Sequence, residues 1–256
     1  MNTNESGHII NVTNFQTIIS ICSSFGSGYA PQRAELTIPG LNITEAAALL
    51  SVKDVNILFA AWKTAIIHRE ATFNPLAILV SRIVAAAKAL NIRGSELDNV
   101  LTAARKITGQ RANPKQVPVV VDPNTTPANP GTAPAIVTPK NISASQMSFD
   151  SRVGNMHLLI QLLSAIPAYI PIEADLSIGA LKTLYATMAS QNKAVVDSHI
   201  ALTTARSQRD IVLYRPSTGL YDIAAAVKNY VKSAYTAKSH QFKELSAIRF
   251  TNPTRK

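Results

Sequence analysis

Cysteine is almost missing from this chain. One thiol, Cys22, excludes an intrachain disulfide. It falls on an apolar helical face and reads as a buried, inert group. Metal-ligand spacing is missing too: none of His8, His68, His157, His199 and His240 has a second ligand type at the right separation. There is no Glu-x-x-His pair for a di-iron bundle, and no glycine-rich phosphate loop. There is no Gly-x-Ser-x-Gly elbow, and Gly26-Ser27-Gly28 reads as a helix stop. These gaps leave no catalytic, cofactor-binding or metal-binding residue to assign, and the expectation is a protein that is not an enzyme.

Long apolar runs are also missing. The longest, Ile57 to Ile67, is interrupted by Lys63 and is too short to span a bilayer. The first residues, Asn2 to Ser6, are polar and carry no secretory pattern. A cytoplasmic protein without membrane insertion is expected, although unconventional export would leave no mark. Charge is scarce: 16% of residues are charged, against 46% hydrophobic. A surface of solvated helices normally carries more charge, so part of it is expected to be covered or to be uncharged and polar. The net charge is +10, of which residues 1–111 contribute +3, residues 112–145 +1 and residues 146–256 +6. A basic second half suits a polyanion or an acidic partner, and is equally common without any such meaning.

What is present is a repeat. Tyr29-Ala30-Pro31-Gln32-Arg33-Ala34-Glu35-Leu36-Thr37-Ile38 recurs as Tyr169-Ile170-Pro171-Ile172-Glu173-Ala174-Asp175-Leu176-Ser177-Ile178, an offset of 140. Upstream of each lies a helix of about four turns, with Phe15, Ile18, Ile19 and Cys22 at helical spacing in one copy. Val153, Met156, Leu159, Ile160 and Leu163 do the same in the other. Residues 1–12 read as a loose terminus. The prolines make the repeated segment an extended connector, and Thr37 and Ser177 are placed to cap the helix that follows.

After Gly40 no glycine or proline occurs until Pro75, and after Gly179 none until Pro216. Both stretches fit one heptad, from Ile38 to Phe73 and from Ile178 to Leu213. The absence of breakers favours one continuous helix in each copy over a hairpin turning near Gln191-Asn192. A third helix and a short fourth follow, the last opening at Ser95 and at Ser239. Between the copies, Asn113 to Lys140 holds seven prolines and reads as a linker.

The fold class expected is therefore all-α: a helical module over 1–111, a proline-rich linker over 112–145, and a second homologous module over 146–256, each organised on one long helix. Arg69 and Arg209 occupy core-facing heptad positions, where a guanidinium needs an acceptor. Glu35 and Asp175, shared by the connectors, are the candidate carboxylates for buried ion pairs, although distance along the helix opposes a direct pair. Lys228, Lys232, Lys238 and Lys243, with Tyr230 and Tyr235 among them, could grip a polyanion. Tyr230 shares a face with Val227 and Val231 and reads as core.

Duplicated modules without catalytic residues point to a structural or interaction protein. Self-assembly into a homo-oligomer or filament is expected, because a helix this long should outrun its cover. Leu49, Leu58, Ile67, Leu184 and Val196 lie beside the heptad and were available for that contact. The alternative is a nucleic-acid-binding protein using the basic second module.

Overall fold

The computed structural model describes residues 5–90, 92, 94–109 and 147–253. The stretch 112–145 lies outside them. Among the described residues every element is helical. The chain order is α1 (Glu5–Ser24), α2 (Ile38–Phe73), α3 (Leu76–Ala89), α4 (Gly94–Thr108), α5 (Phe149–Ser164), α6 (Ile178–Tyr214), α7 (Leu220–Tyr235) and α8 (His240–Ala247). Helix α2 is 36 residues and α6 is 37, both unbroken. At 1.5 Å per residue each is roughly 55 Å long.

The connectors explain how each long helix begins. The Tyr29 hydroxyl donates to the Leu36 carbonyl at 2.7 Å, and the Tyr169 hydroxyl to the Leu176 carbonyl at 3.0 Å. Each bond closes the connector onto a single 3-10 turn, Ala34–Leu36 or Ala174–Leu176. The Thr37 hydroxyl then accepts the Gly40 N–H at 3.3 Å, and the Ser177 hydroxyl accepts the Ala180 N–H at 3.2 Å. One of the four orphan donors at each helix start is satisfied in this way. Ser239 caps α8 as expected, accepting from Phe242 N. Ser95 does not cap α4, because that helix already starts at Gly94.

One expectation is corrected here. The first helix starts at Glu5, well before Thr13, because His8 and Asn11 are buried polar residues that continue its inner face. The grouping of the helices is a separate finding. The described residues fall into two compact units, unit 1 within Met1–Ile66 and Ala194–Lys256, and unit 2 within Ile67–Lys193. Each unit draws on both halves of the sequence. In the core of unit 1, Phe15, Ile18 and Leu41 from the first copy pack with Leu213, Ile223 and Val227 from the second. In the core of unit 2, Phe73, Ile83 and Val100 pack with Leu159, Ile160 and Leu181. The reason is length. Helix α2 is longer than the other helices of its own copy, and its last residue, Phe73, is fully buried in a core shared with α5. The end of α2 is covered there, while Ile67 before it stays exposed.

Candidate interaction surfaces

The two heptad arginines are both held, in different ways. Arg209 on α6 is 5% exposed. Its Nε and Nη2 donate to one oxygen of Asp210, at 3.0 and 2.8 Å. Arg69 on α2 is half-buried, donates from Nη1 to Asn192 Oδ1 at 3.3 Å, and lies 3.8 Å over the Phe149 ring. Asn192 in turn donates to the Asp150 carboxylate. Phe149 meets Phe73 edge-on at 4.9 Å, and Arg152 donates to the Phe73 carbonyl at 3.2 Å. Burial pulls the Arg152 pKa down. This stack fastens the start of α5 to the end of α2 with cation–π and hydrogen-bond contacts.

Glu35 and Asp175 are not the buried partners of these arginines. Glu35 is exposed and pairs with Arg33 at 3.1 Å. Asp175 is exposed and takes both terminal nitrogens of Arg82. The connectors lie at the starts of the long helices and the arginines near their ends, so neither carboxylate reaches its own copy's arginine. The Glu35 carboxyl is held below its ordinary pKa by its own backbone N–H and then by Arg33, and Asp175 by its bonds to Arg82.

The four lysines are not equivalent. Lys228 is half-buried on α7, donates to the Ile248 carbonyl, and sits 5.4 Å from the Phe250 ring. Burial pulls its pKa down. Lys232, Lys238 and Lys243 are exposed. The interleaved tyrosines are engaged: Tyr230 accepts the Ala30 N–H at 3.1 Å and meets Tyr29 edge-on, and Tyr235 lies 5.4 Å from Phe25. Lys228 thus interrupts the basic row, and the aromatic rings beside it pack inward.

Unit 1 carries an exposed apolar row that lies beside the expected residues. Ile43, Leu50 and Ile57 on α2 are 71%, 59% and 65% exposed. Spaced seven apart, they lie on one face of the helix. Beside them a groove runs between α2 and α6, lined by Ser51, Asp54, Ile57, Leu58, Ala201, Thr204, Ala205 and Gln208. Ile200 on α6 is also exposed. Of the residues expected on such a face, Leu49, Leu58 and Leu184 are half-buried, while Ile67 and Val196 are exposed. The heptad register masked the outer row, because 43, 50 and 57 fall outside its a and d positions.

The thiol of Cys22 is fully buried, and burial pushes its pKa up to about 11. Among the described residues no three His, Cys, Asp or Glu side chains are grouped so that they could hold a metal ion. Among them no helix is long and apolar enough to cross a membrane. No protein-family model, curated protein or solved structure matches this chain.

Proposed function

We propose that this chain is a tandem duplication serving as a non-enzymatic interaction protein, and that it associates with itself. The observation that carries the reading is the exposed row Ile43, Leu50 and Ile57 with the groove beside it. Apolar residues seven apart line one edge of a helix face, which a second helix can cover on either side of the exposed Lys53 and Asp54. Between Ile38 and Ala61 the only charged residues of α2 are Glu45, Lys53 and Asp54, so little charge opposes such a contact. Covering one such row yields roughly 1–2 kcal/mol per side chain, given that each is already partly shielded. Two rows meeting yield roughly 6–12 kcal/mol, set against about 4–15 kcal/mol lost on association. The contact is therefore weak and depends on concentration.

Light scattering after size-exclusion chromatography tests this over about 10–200 μM. The expected result is a mass that grows with concentration. It grows more at about 500 mM salt than at about 50 mM, because salt screens the repulsion between +10 chains. Leu50→Lys should remain monomeric. Nucleic-acid binding has the opposite salt dependence, since it weakens as salt rises. A monomer under every condition, together with salt-sensitive RNA or DNA binding lost on replacing Lys232, Lys238 and Lys243, would transfer the reading to nucleic acid.

A further inference from the structure

We propose that a second copy of this chain can complete either compact unit by exchange, residues 5–109 of one chain closing on residues 147–253 of another. This goes beyond the self-association read above, because the contact is the interior of the units and not the exposed row on α2.

The argument starts from the cores. Neither sequence copy holds a closed core of its own. Phe15, Ile18 and Leu41 need Leu213, Ile223 and Val227, and Phe73, Ile83 and Val100 need Leu159, Ile160 and Leu181. The surface through which one copy recognises the other is thus the inside of both units. It is apolar, both copies carry net positive charge, and the Arg82–Asp175 pair that also joins them is exposed.

The covalent join between the copies is dispensable for this packing. In unit 2 the end of the first copy touches the start of the second: a Cβ built on Gly109 would lie 2.6 Å from Met147 Sδ. In unit 1 the end of the second copy touches the start of the first in the same manner. A Cβ built on Gly7 would lie 3.6 Å from Thr251 Oγ1, and Asn11 bonds the Thr251 backbone in both directions. The residues that meet in unit 1 lie as much as 240 positions apart in sequence, yet the unit is closed. A core that closes between segments so far apart can also close between segments of two chains.

Closure within one chain is intramolecular and closure between chains is not, so exchange gains on closure only as concentration rises. At micromolar concentration the chain closes on itself, and the exchanged fraction grows roughly in proportion to concentration. Exchange leaves each chain with a second copy to place, so it yields closed pairs or open head-to-tail polymers. Because both cores must open first, folded chains do not exchange on mixing.

Two full-length preparations with different affinity tags test this. They are unfolded together and refolded at about 10 μM and about 500 μM, then captured by one tag. Mixed-tag complex with the helicity and melting curve of the monomer is expected, rising about tenfold or more between the two concentrations. None is expected when the two are folded first and then mixed. Mixed complex formed equally by prefolded chains would overturn exchange while leaving surface self-association in place. Absence of mixed complex in both arms at both concentrations would overturn both. A second measurement co-expresses full-length Ile18→Asp with full-length Val227→Asp, so that each chain supplies the copy the other has lost. Recovery of a soluble 1:1 complex is expected; insolubility of the pair, like that of each variant alone, counts against the proposal.

Discussion

In unit 2 the first copy ends with α4, a 15-residue helix that buries Val100, Ala103, Ala104 and Ile107 beside α5. In unit 1 the second copy reaches the same place with α8, which stops at Ala247 after eight residues. The chain then goes on without helix, along α1. Asn14 donates to the Arg249 carbonyl at 2.8 Å. Asn11 donates to the Thr251 carbonyl at 2.7 Å and accepts its N–H at 3.0 Å. The difference teaches where polar residues belong in a helical core. A helix satisfies its own backbone, so it can lie on an apolar face. An extended chain cannot, so the helix beneath it must offer side-chain amides. The local sequence accounts for the change: Ile248, Phe250 and Thr251 are poorer helix formers than Ala103, Ala104 and Lys106, and Pro253 biases Asn252 out of the helical region.

The sharpest way to break the comparison is to damage one core and ask which helices notice. Phe15 is fully buried in unit 1. Phe15→Ala should cost about 3–5 kcal/mol. Hydrogen exchange should then show lost protection in α7, about 200 residues away in sequence, while α3 and α4 of its own copy stay protected. The reverse pattern would mean that stability follows the sequence copies rather than the compact units.

Much of the fold was legible because its causes are local. The hydroxyl caps at Thr37 and Ser177, the connector prolines and the absence of breakers act within a few residues, and each gave its element correctly. The regrouping into units was not legible, since nothing in a heptad says whose helix will cover it. The start of α1 was missed for a related reason. Its inner face runs His8, Asn11, Phe15, Ile18 and Cys22 at helical spacing, but the first two are polar, and their partners Tyr214 and Thr251 lie more than 200 residues downstream. Arg209 was legible as a buried group, while its acceptor Asp210 was overlooked because neighbouring residues on a helix normally diverge. The apolar row at 43, 50 and 57 lies outside the a and d positions, so the heptad carries no sign of it.

A smaller effect isolates the amide contact. The side chain of Asn11 bonds the Thr251 backbone twice and the Tyr214 hydroxyl at 3.2 Å, and the Tyr214 hydroxyl also meets His8 Nδ1 at 2.7 Å. Asn11→Ala strands buried polar groups and should cost about 2 kcal/mol. Ser151 occupies the matching place in the second copy, where, among the described residues, its hydroxyl accepts from the Ser148 hydroxyl. Ser151→Ala should change stability by less than about 0.5 kcal/mol. Denaturant midpoints of the two variants check this, and equal losses would show that the extended closing segment of unit 1 makes no special demand on α1.

The smallest expected effect tests the one place where the two connectors differ in closeness. Gly40 sits in the first turn of α2, and a Cβ there would overlap the Ala34 carbonyl and lie 2.9 Å from Glu35 Cα. Its repeat counterpart is Ala180, so the second connector already accommodates that methyl. Gly179, one residue earlier, has open space around it. Alanine in place of glycine gains up to about 1 kcal/mol of helix propensity, less at a helix end. At Gly40 that gain is outweighed, because the obstacle is backbone and must move. Gly40→Ala should therefore cost about 1 kcal/mol net and lower the melting temperature by roughly 2–4 °C. Gly179→Ala should be neutral or slightly stabilising. If Gly40→Ala also raises the melting temperature, the connector of unit 1 has the freedom of its counterpart, and the tight 3-10 turn at Ala34–Leu36 is not what seats the start of α2.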